Sequence, residues 1–225
     1  PKAYTPAQVR AMVKAAKGLG TKTLIQFLAS SGLRRAEALA LQWHHVDLGS
    51  DVAMLHVVQT VIKDGPNVVV QPFGKTKDST RSFALSDHER TVLMVLHDHR
   101  VTQTKRMRDR FTPNSFIWPQ SPHRHREPMD PNAFSVRIAR LRDSVGVSES
   151  ISPIHGLRHC AISQMINGGI PAPVVAKRVG HSNPQQTLNT YSHASASDLI
   201  AAAARVNDLW GNVMENEDDP FALAP

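Results

Sequence analysis

The sequence has a single cysteine, Cys160, and only two tyrosines among its 225 residues. One cysteine excludes an internal disulfide framework and fits a reducing compartment. No apolar run approaches the roughly 18 residues that a membrane-spanning helix needs. No charged-then-apolar leader opens the chain, so the reading is a soluble, cytoplasmic protein with no membrane partner. Clustered aspartates of the kind that hold magnesium are also missing. Internal repeats are absent, and the length allows one sizeable core.

Positive charge is plentiful. The formal net charge is +7, and all of it comes from one stretch. Residues 100–142 hold ten Lys and Arg, among them Arg100, Lys105, Arg106, Arg137, Arg140 and Arg142, against three acidic residues. A localised basic surface is the footprint of a phosphate-backbone binder, and a solvated basic face is the plainer alternative. The C-terminus runs the other way, with Glu215, Glu217, Asp218 and Asp219 close together.

The periodicity predicts a mainly helical chain. Thr5-Pro6-Ala7-Gln8 is a capping box with proline in the first turn, followed by Val9, Met12, Val13 and Ala16 at helical spacing. Further helices are expected over 23–31, stopping at Gly32, and from Arg34 to about Trp43. Residues 52–61, 67–73 and 81–85 are valine-rich or extended runs around an Asp-Gly-Pro turn and the polar loop "GKTKDST". They predict one small antiparallel sheet. Ser86 caps a long helix to about Met107, residues 111–130 form a proline-rich loop, and Asp130-Pro131 opens a helix ending near Gly146. Helices over 155–167 and 172–179 follow, then a short one carrying Tyr191 and a last one over 197–210. The fold class is α+β, mainly α with a small antiparallel β-sheet.

Tyr191 is the odd residue. It sits in "GHSNPQQTLNTYSHAS", among polar side chains, whereas a core tyrosine wants apolar neighbours around its ring. Its phenol reads as held towards something polar. Arg34 and Glu37 in "SGLRRAEALAL" share one helix face, the pattern of a surface ion pair. Lys75 and Lys77 lie in the loop between two strands. In "PIHGLRHC", His155 and Arg158 project to one side of a helix start, where free N–H groups favour an anion. His155 and His159 have zinc-helix spacing, but Gly156 replaces the expected glutamate and a third ligand is missing, so no metal is assigned. The pairs His44-His45, His97/His99 and His123/His125 read as surface. Two arginine forks can bracket a phosphodiester. A tyrosine hydroxyl of pKa about 10 needs a base such as histidine to become a nucleophile, and a lysine can protonate the departing oxygen. Together these residues suit metal-free, cofactor-free phosphoryl transfer through tyrosine.

The order Arg34, Lys75, His155-x-x-Arg158, His181, Tyr191 resembles the tyrosine recombinase (phage integrase) family. The family's arginine box is matched by "SGLRRAEALALQW", its hairpin lysine by "GKTKDSTRSFAL", its His-x-x-Arg box by "HGLRH", and its Gly-His…Tyr box by "GHSNPQQTLNTYSH". The resemblance implies that Tyr191 attacks the scissile phosphate of DNA, leaving a 3′-phosphotyrosyl bond and a free 5′-hydroxyl. Arg34 and Arg158 would stabilise the pentacoordinate phosphorus. His155 would be the general base or its orienter, His181 a hydrogen-bond donor, and Lys75 the general acid, with Lys77 competing for that role. The implied partners are double-stranded DNA sites, further protomers in a tetramer, and DNA-bending accessory proteins. Arg100, Lys105, Arg106, Arg137 and Arg140 would touch the DNA. Residues 1–210 would form the catalytic domain and 211–225 an acidic tail that docks in trans or stays disordered. The chain begins at the catalytic domain's first helix, so a catalytic fragment or a minimal integrase is expected. A type IB topoisomerase and a DNA-binding protein that has lost catalysis are the rival readings.

Overall fold

Thr5 opens the first helix, α1 (Pro6–Ala15), as its sequence predicts. Its hydroxyl accepts from the Gln8 N–H at 3.2 Å while the Gln8 side chain accepts from the Thr5 N–H at 2.9 Å. Val9 and Met12 turn inward from this helix. The computed structural model describes residues 2–73 and 80–181. Lys75, Lys77, Tyr191, the two C-terminal helices expected from the sequence and the acidic tail lie outside the described residues.

The second helix, α2 (Leu19–Ser31), is the axis of the core, with Leu24, Ile25, Phe27 and Leu28 all buried. It starts four residues earlier than expected. The Thr23 hydroxyl donates back to the Leu19 carbonyl at 2.9 Å, so the apparent start signal is an interior residue. Gly32 ends it in the left-handed region at φ 69°, and a Cβ there would stand 2.8 Å from Val179. Both facts require glycine. Around α2 pack α1, α4 (Asp87–Arg106) and α6 (His155–Asn167). Trp118 closes one side, its ring 5.1 Å from Phe27 and its indole N–H donating to Thr23. Among the described residues, no helix is long and apolar enough to cross a membrane.

The strand region departs from expectation. The run over 52–61 is two strands, β2 (Met54–Val57) and β3 (Gln59–Asp64), that belong to different sheets. β2 lies between β1 (Val46–Asp47) and β5 (Arg81–Ala84), with Leu55 opposite Phe83. Among the described residues, β3 pairs only with β4 (Asn67–Pro72), through a turn containing Gly65 at φ 55°. Alternation of side chains continues unbroken through Val58, so a period of two cannot reveal that the partner changes there.

α3 (Arg35–Ala40) is shorter than expected and gives way to a 3₁₀ turn at Trp43–His45. The cause is distant in sequence. Ile117 N–H donates to the Leu41 carbonyl at 2.9 Å, and Gln42 bridges to Phe116. The remaining α-helices among the described residues are α5 (Pro131–Ser144), capped by Asp130, and α7 (Ala172–Val179), ended by Gly180.

Two of the histidines read as surface are buried. His45 is 5% exposed and its Nδ1 accepts from the Gln42 N–H at 3.1 Å. His125 is 4% exposed and bridges the Ser115 hydroxyl and the Asp109 carboxylate, each at 2.8 Å. That Ser–His–Asp line looks like a hydrolase triad, but Ser115 is fully buried. It stitches the proline-rich loop together and has no opening to a substrate. Among the described residues no group of His, Cys, Asp and Glu is arranged to hold a metal ion.

The basic stretch does not form one face. Arg142 is buried, donating to the Ile151 carbonyl at 2.8 Å and pairing with Asp143. Arg100 packs against Gly20 and donates to Gln103. Twelve residues of helix separate Gly20 from Gly32, so Arg100 lies about 18 Å along α2 from the Arg34 end. Lys105 and Arg106 are exposed, still farther along α4. Charge counting along a sequence cannot separate arginines that hold loops from arginines that face solvent.

Candidate active site

Arg34 is placed by the end of one helix and the start of the next. It is the N-cap residue of α3, three positions before Glu37. Its backbone N–H donates to Glu37 Oε2 at 2.9 Å and its Nη1 to Oε1 at 3.0 Å. Its Nη2 donates to the Gly180 carbonyl at 2.7 Å. The Arg34 side chain is still 49% exposed, whereas that of Glu37 is 3% exposed. The pair is therefore not the surface ion pair that its spacing suggests. Glu37 is buried because a second guanidinium, that of Arg81, forks onto it at 3.1 and 2.8 Å. Burial pushes the Glu37 carboxyl up, but the hydrogen bonds and charges of Arg81 and Arg34 outweigh it and hold the group below its ordinary value.

α6 supplies the opposite wall. His155 is exposed at its first turn and Arg158, one turn on, is buried and donates to the Gly32 carbonyl. Gly156 between them has no room for a Cβ, which would stand 2.5 Å from Ile151 and 2.7 Å from Tyr4. The space a glutamate would need for a zinc helix is filled by the core. Arg34, Arg35, Ser135, Ser152, His155 and Arg158 line one cleft of about 320 Å³. Arg35 is turned towards α5, donating to the Pro131 carbonyl at 3.0 Å and bonding Ser135.

His181 stands at the edge of this group, one residue past the Gly180 carbonyl that Arg34 holds. Burial first, then the charges of Arg158, Arg34, His159 and Arg81, push its imidazole down to about 4. His159 is also lowered, by burial and then by His155. A neutral imidazole beside two guanidinia offers an N–H to an anionic oxygen and takes up a proton poorly. Such a set can hold a tetrahedral oxyanion by charge and by forked donors.

These neutral histidines give a pH dependence. His45 is likewise pushed down to about 4, by burial and then by His44 and His56. Unfolded histidine takes its proton near 6.5, so between that value and about 4 the unfolded chain binds more protons than the folded one. Stability contributed by His45 and His181 is complete above that window and falls as pH drops through it. Urea midpoints should fall steadily from pH 7 towards pH 5, and the two rings should stay unprotonated by NMR; midpoints flat over that range would refute it.

Of the residues that the sequence singled out, the structure brings together Arg34, His155, Arg158 and His181. None of the five basic residues expected at DNA lines the cleft. Arg137 and Arg140 are exposed on α5, but at 100° per residue they lie about 160° and 140° round the helix from Ser135. Sequence reasoning missed Arg81, Arg178 and the burial of Glu37. One signal was present: in "RSFA" a strand puts Arg81 on the same face as Phe83, and an inward-facing charge requires a partner.

The geometry can be set beside known proteins. A family model described as the phage integrase family matches residues 2–198. A tyrosine recombinase XerC-like protein of Caldanaerobacter subterraneus subsp. tengcongensis is 21% identical over 92% of this chain and 54% of its own length. The integrase of Staphylococcus phage L54a is 25% identical over 76% of this chain and 47% of its own. The chain thus spans about half the length of these curated relatives. Among solved structures, the Tn1549 transposon integrase in complex with a circular intermediate DNA superposes with a TM-score of 0.72 at 20% identity, over 92% of this chain and 66% of that one. The XerA recombinase superposes with a TM-score of 0.64 at 18% identity, over 91% and 63%. With a family model matched over most of its length and the same fold in the solved relatives, the chain belongs to the phage integrase family.

Proposed function

We propose that this chain carries the strand-breaking and rejoining chemistry of a site-specific DNA recombinase. The observation that supports it is the convergence of Arg34, His155 and Arg158 on one cleft, with His181 beside them, in a chain of this family. In the reaction, the Tyr191 oxygen attacks the scissile phosphorus as His155 takes or orients its proton. The bond to the 5′-oxygen breaks, and a lysine protonates that oxygen as it leaves. Arg34, Arg158 and the neutral His181 donate to the non-bridging oxygens, where loss of one donor typically costs about 10²–10³ in rate. The phosphotyrosyl link keeps the bond energy, so a 5′-hydroxyl from another strand reverses the step. The partners are double-stranded DNA sites and other copies of the chain assembled as a tetramer on them, with DNA-bending proteins assisting. Arg137 and Arg140 are turned to the far side of α5 from the cleft, and Arg100, Lys105 and Arg106 are too far along α2 and α4, so none of the five is assigned to phosphates at this site.

A duplex with a nick beside the cleavage point traps the intermediate. Accumulation of protein covalently attached to DNA supports the proposal, and its absence removes it. Holliday-junction formation from intact sites separates a recombinase from a topoisomerase.

Lys75 rather than Lys77 is assigned as the general acid, on the pairing Lys75-Thr76. A bridging 5′-sulfur leaves readily as thiolate and needs little protonation. Lys75→Ala is therefore expected to cleave ordinary DNA at least about 10²-fold more slowly and to recover on a 5′-phosphorothiolate substrate. Lys77→Ala should lose little on either. The reverse pattern exchanges the two lysines.

The acidic segment 211–225, which contains Phe221-Ala-Leu-Ala, is proposed to dock on a neighbouring protomer. Deleting 212–225 should change assembly or cleavage on DNA; unchanged behaviour in both assays would make the tail a passive extension.

A further inference from the structure

β5 and α7 reach for each other with matching arginines. From β5, Arg81 Nε donates to the Arg178 carbonyl at 2.8 Å. From α7, Arg178 Nη1 donates back to the Ala84 carbonyl at 2.8 Å. Each guanidinium then meets a buried carboxylate, Arg81 as a fork of Nη1 and Nη2 and Arg178 through Nη2 alone. Arg81 meets Glu37 at 3.1 and 2.8 Å, and Arg178 meets Glu89 at 2.8 and 2.7 Å. Arg178 also lies 4.2 Å over the Phe83 ring. The fit at the open end is tight: a Cβ on Gly180 would stand 2.6 Å from Arg81 Nη1.

The position of this joint in the chain matters. β5 begins directly after the loop that carries Lys75 and Lys77. α7 ends at Gly180, after which come His181 and, ten residues later, Tyr191. Through Glu37 the same joint holds Arg34, which itself donates to the Gly180 carbonyl. One cluster thus ties the end of the lysine-bearing segment, the start of the tyrosine-bearing segment and the first arginine of the cleft.

We propose that Arg81 and Arg178 form a reciprocal clasp that positions these three parts of the active site, making both of them positioning residues for the reaction. This rests on the recombinase reading given above. Mere adhesion between β5 and α7 does not need four charges. Buried ion pairs are often no more stabilising than apolar residues of the same volume, and fixing one geometry is the better-attested use of such groups. Lysine cannot replace Arg81, because a single ammonium cannot fork onto the Glu37 carboxylate while also donating to the Arg178 carbonyl along a fixed plane.

The test uses the full chain and three variants. If Arg81 acts through Glu37 on Arg34, its effect belongs to the negative charge of the phosphate that Arg34 meets. Arg81→Gln is expected to slow adduct formation on a nicked duplex about 10²-fold, the scale of one lost oxyanion donor. On the same duplex with an uncharged methylphosphonate at the cleavage point, its rate should be close to that of the parent protein. Equal slowing on both substrates, or no slowing on the ordinary one, would overturn the proposal. Arg178→Gln supplies a readout without DNA. Because loss of the Arg178 charge itself favours a protonated His181, Glu89→Gln, which frees Arg178 but keeps its charge, is titrated beside it, and a rise in both reports a moved ring. An NMR titration should show that ring rising from about 4 towards its ordinary value; an unmoved titration overturns the clasp. A parent protein that forms no adduct on either substrate refutes the recombinase reading, and the His181 titration then decides the clasp alone.

Discussion

A Tyr191→Phe protein is expected to bind DNA as the parent does and to form no covalent adduct. The substitution removes one oxygen and leaves the ring, so the phosphate contacts proposed for Arg34, Arg158 and their neighbours survive. Only the proposed nucleophile is lost. The chain has no substitute phenol. Tyr4, the other tyrosine, is 2% exposed, packs on Gly156 and donates its hydroxyl to the Pro153 carbonyl at 3.2 Å. Burial, outweighing the nearby Arg142, pushes that hydroxyl up to about 12. A phenol that is buried, bonded and harder to deprotonate than in water cannot reach or attack phosphorus. Binding measured by anisotropy and attachment measured on denaturing gels separate the two properties. Adduct from the Phe protein on nicked DNA would move the nucleophile elsewhere.

The two tyrosines also show what local sequence can and cannot convey. Polar neighbours marked Tyr191 as unusual, and nothing in "AYTP" announced that Tyr4 packs under the His-x-x-Arg turn. Helices were legible wherever their signals were local: the Thr5 and Ser86 capping boxes, Pro131 after Asp130, and the stops at Gly32 and Gly180 all sit where the chain predicts them. Elements defined by distant partners were not. β2 and β3 are separate only because β5 leaves at Arg81 and β4 arrives at Pro72. The site follows the same division. Arg34, His155, Arg158 and His181, which the structure brings together, each lie in a short, recognisable string. Glu37 was misplaced on the surface because its burial comes from Arg81, forty-four residues away. Arg100 and Arg142 were misassigned to a basic face because their carbonyl and helix partners are invisible to a charge count.

Glu37 provides the second large effect, this time on stability. Its carboxylate satisfies two guanidinia and the N–H that opens α3, and the Arg81 side chain it faces is 8% exposed. Glu37→Ala leaves Arg81 charged, buried and without its carboxylate. Breaking a buried pair by removing one partner costs about 3–5 kcal/mol. For a domain of this size each kcal/mol lowers the melting temperature by about 2–4 °C, so a fall of roughly 6–20 °C is expected. The sign with pH follows from the lowered Glu37 value. Its contribution is present above the unfolded carboxyl's ordinary value and is lost as pH falls through the folded one, so the gap between parent and variant should close in acid. The cause can be separated from simple loss of packing. Removing both charges, in Glu37→Ala with Arg81→Met, takes away the uncompensated guanidinium and should recover much of the lost stability. A melting temperature for Glu37→Ala within about 2 °C of the parent, or a double variant no more stable than the single, would mean that water solvates Arg81 and that Glu37 is not the buried anchor of the cleft.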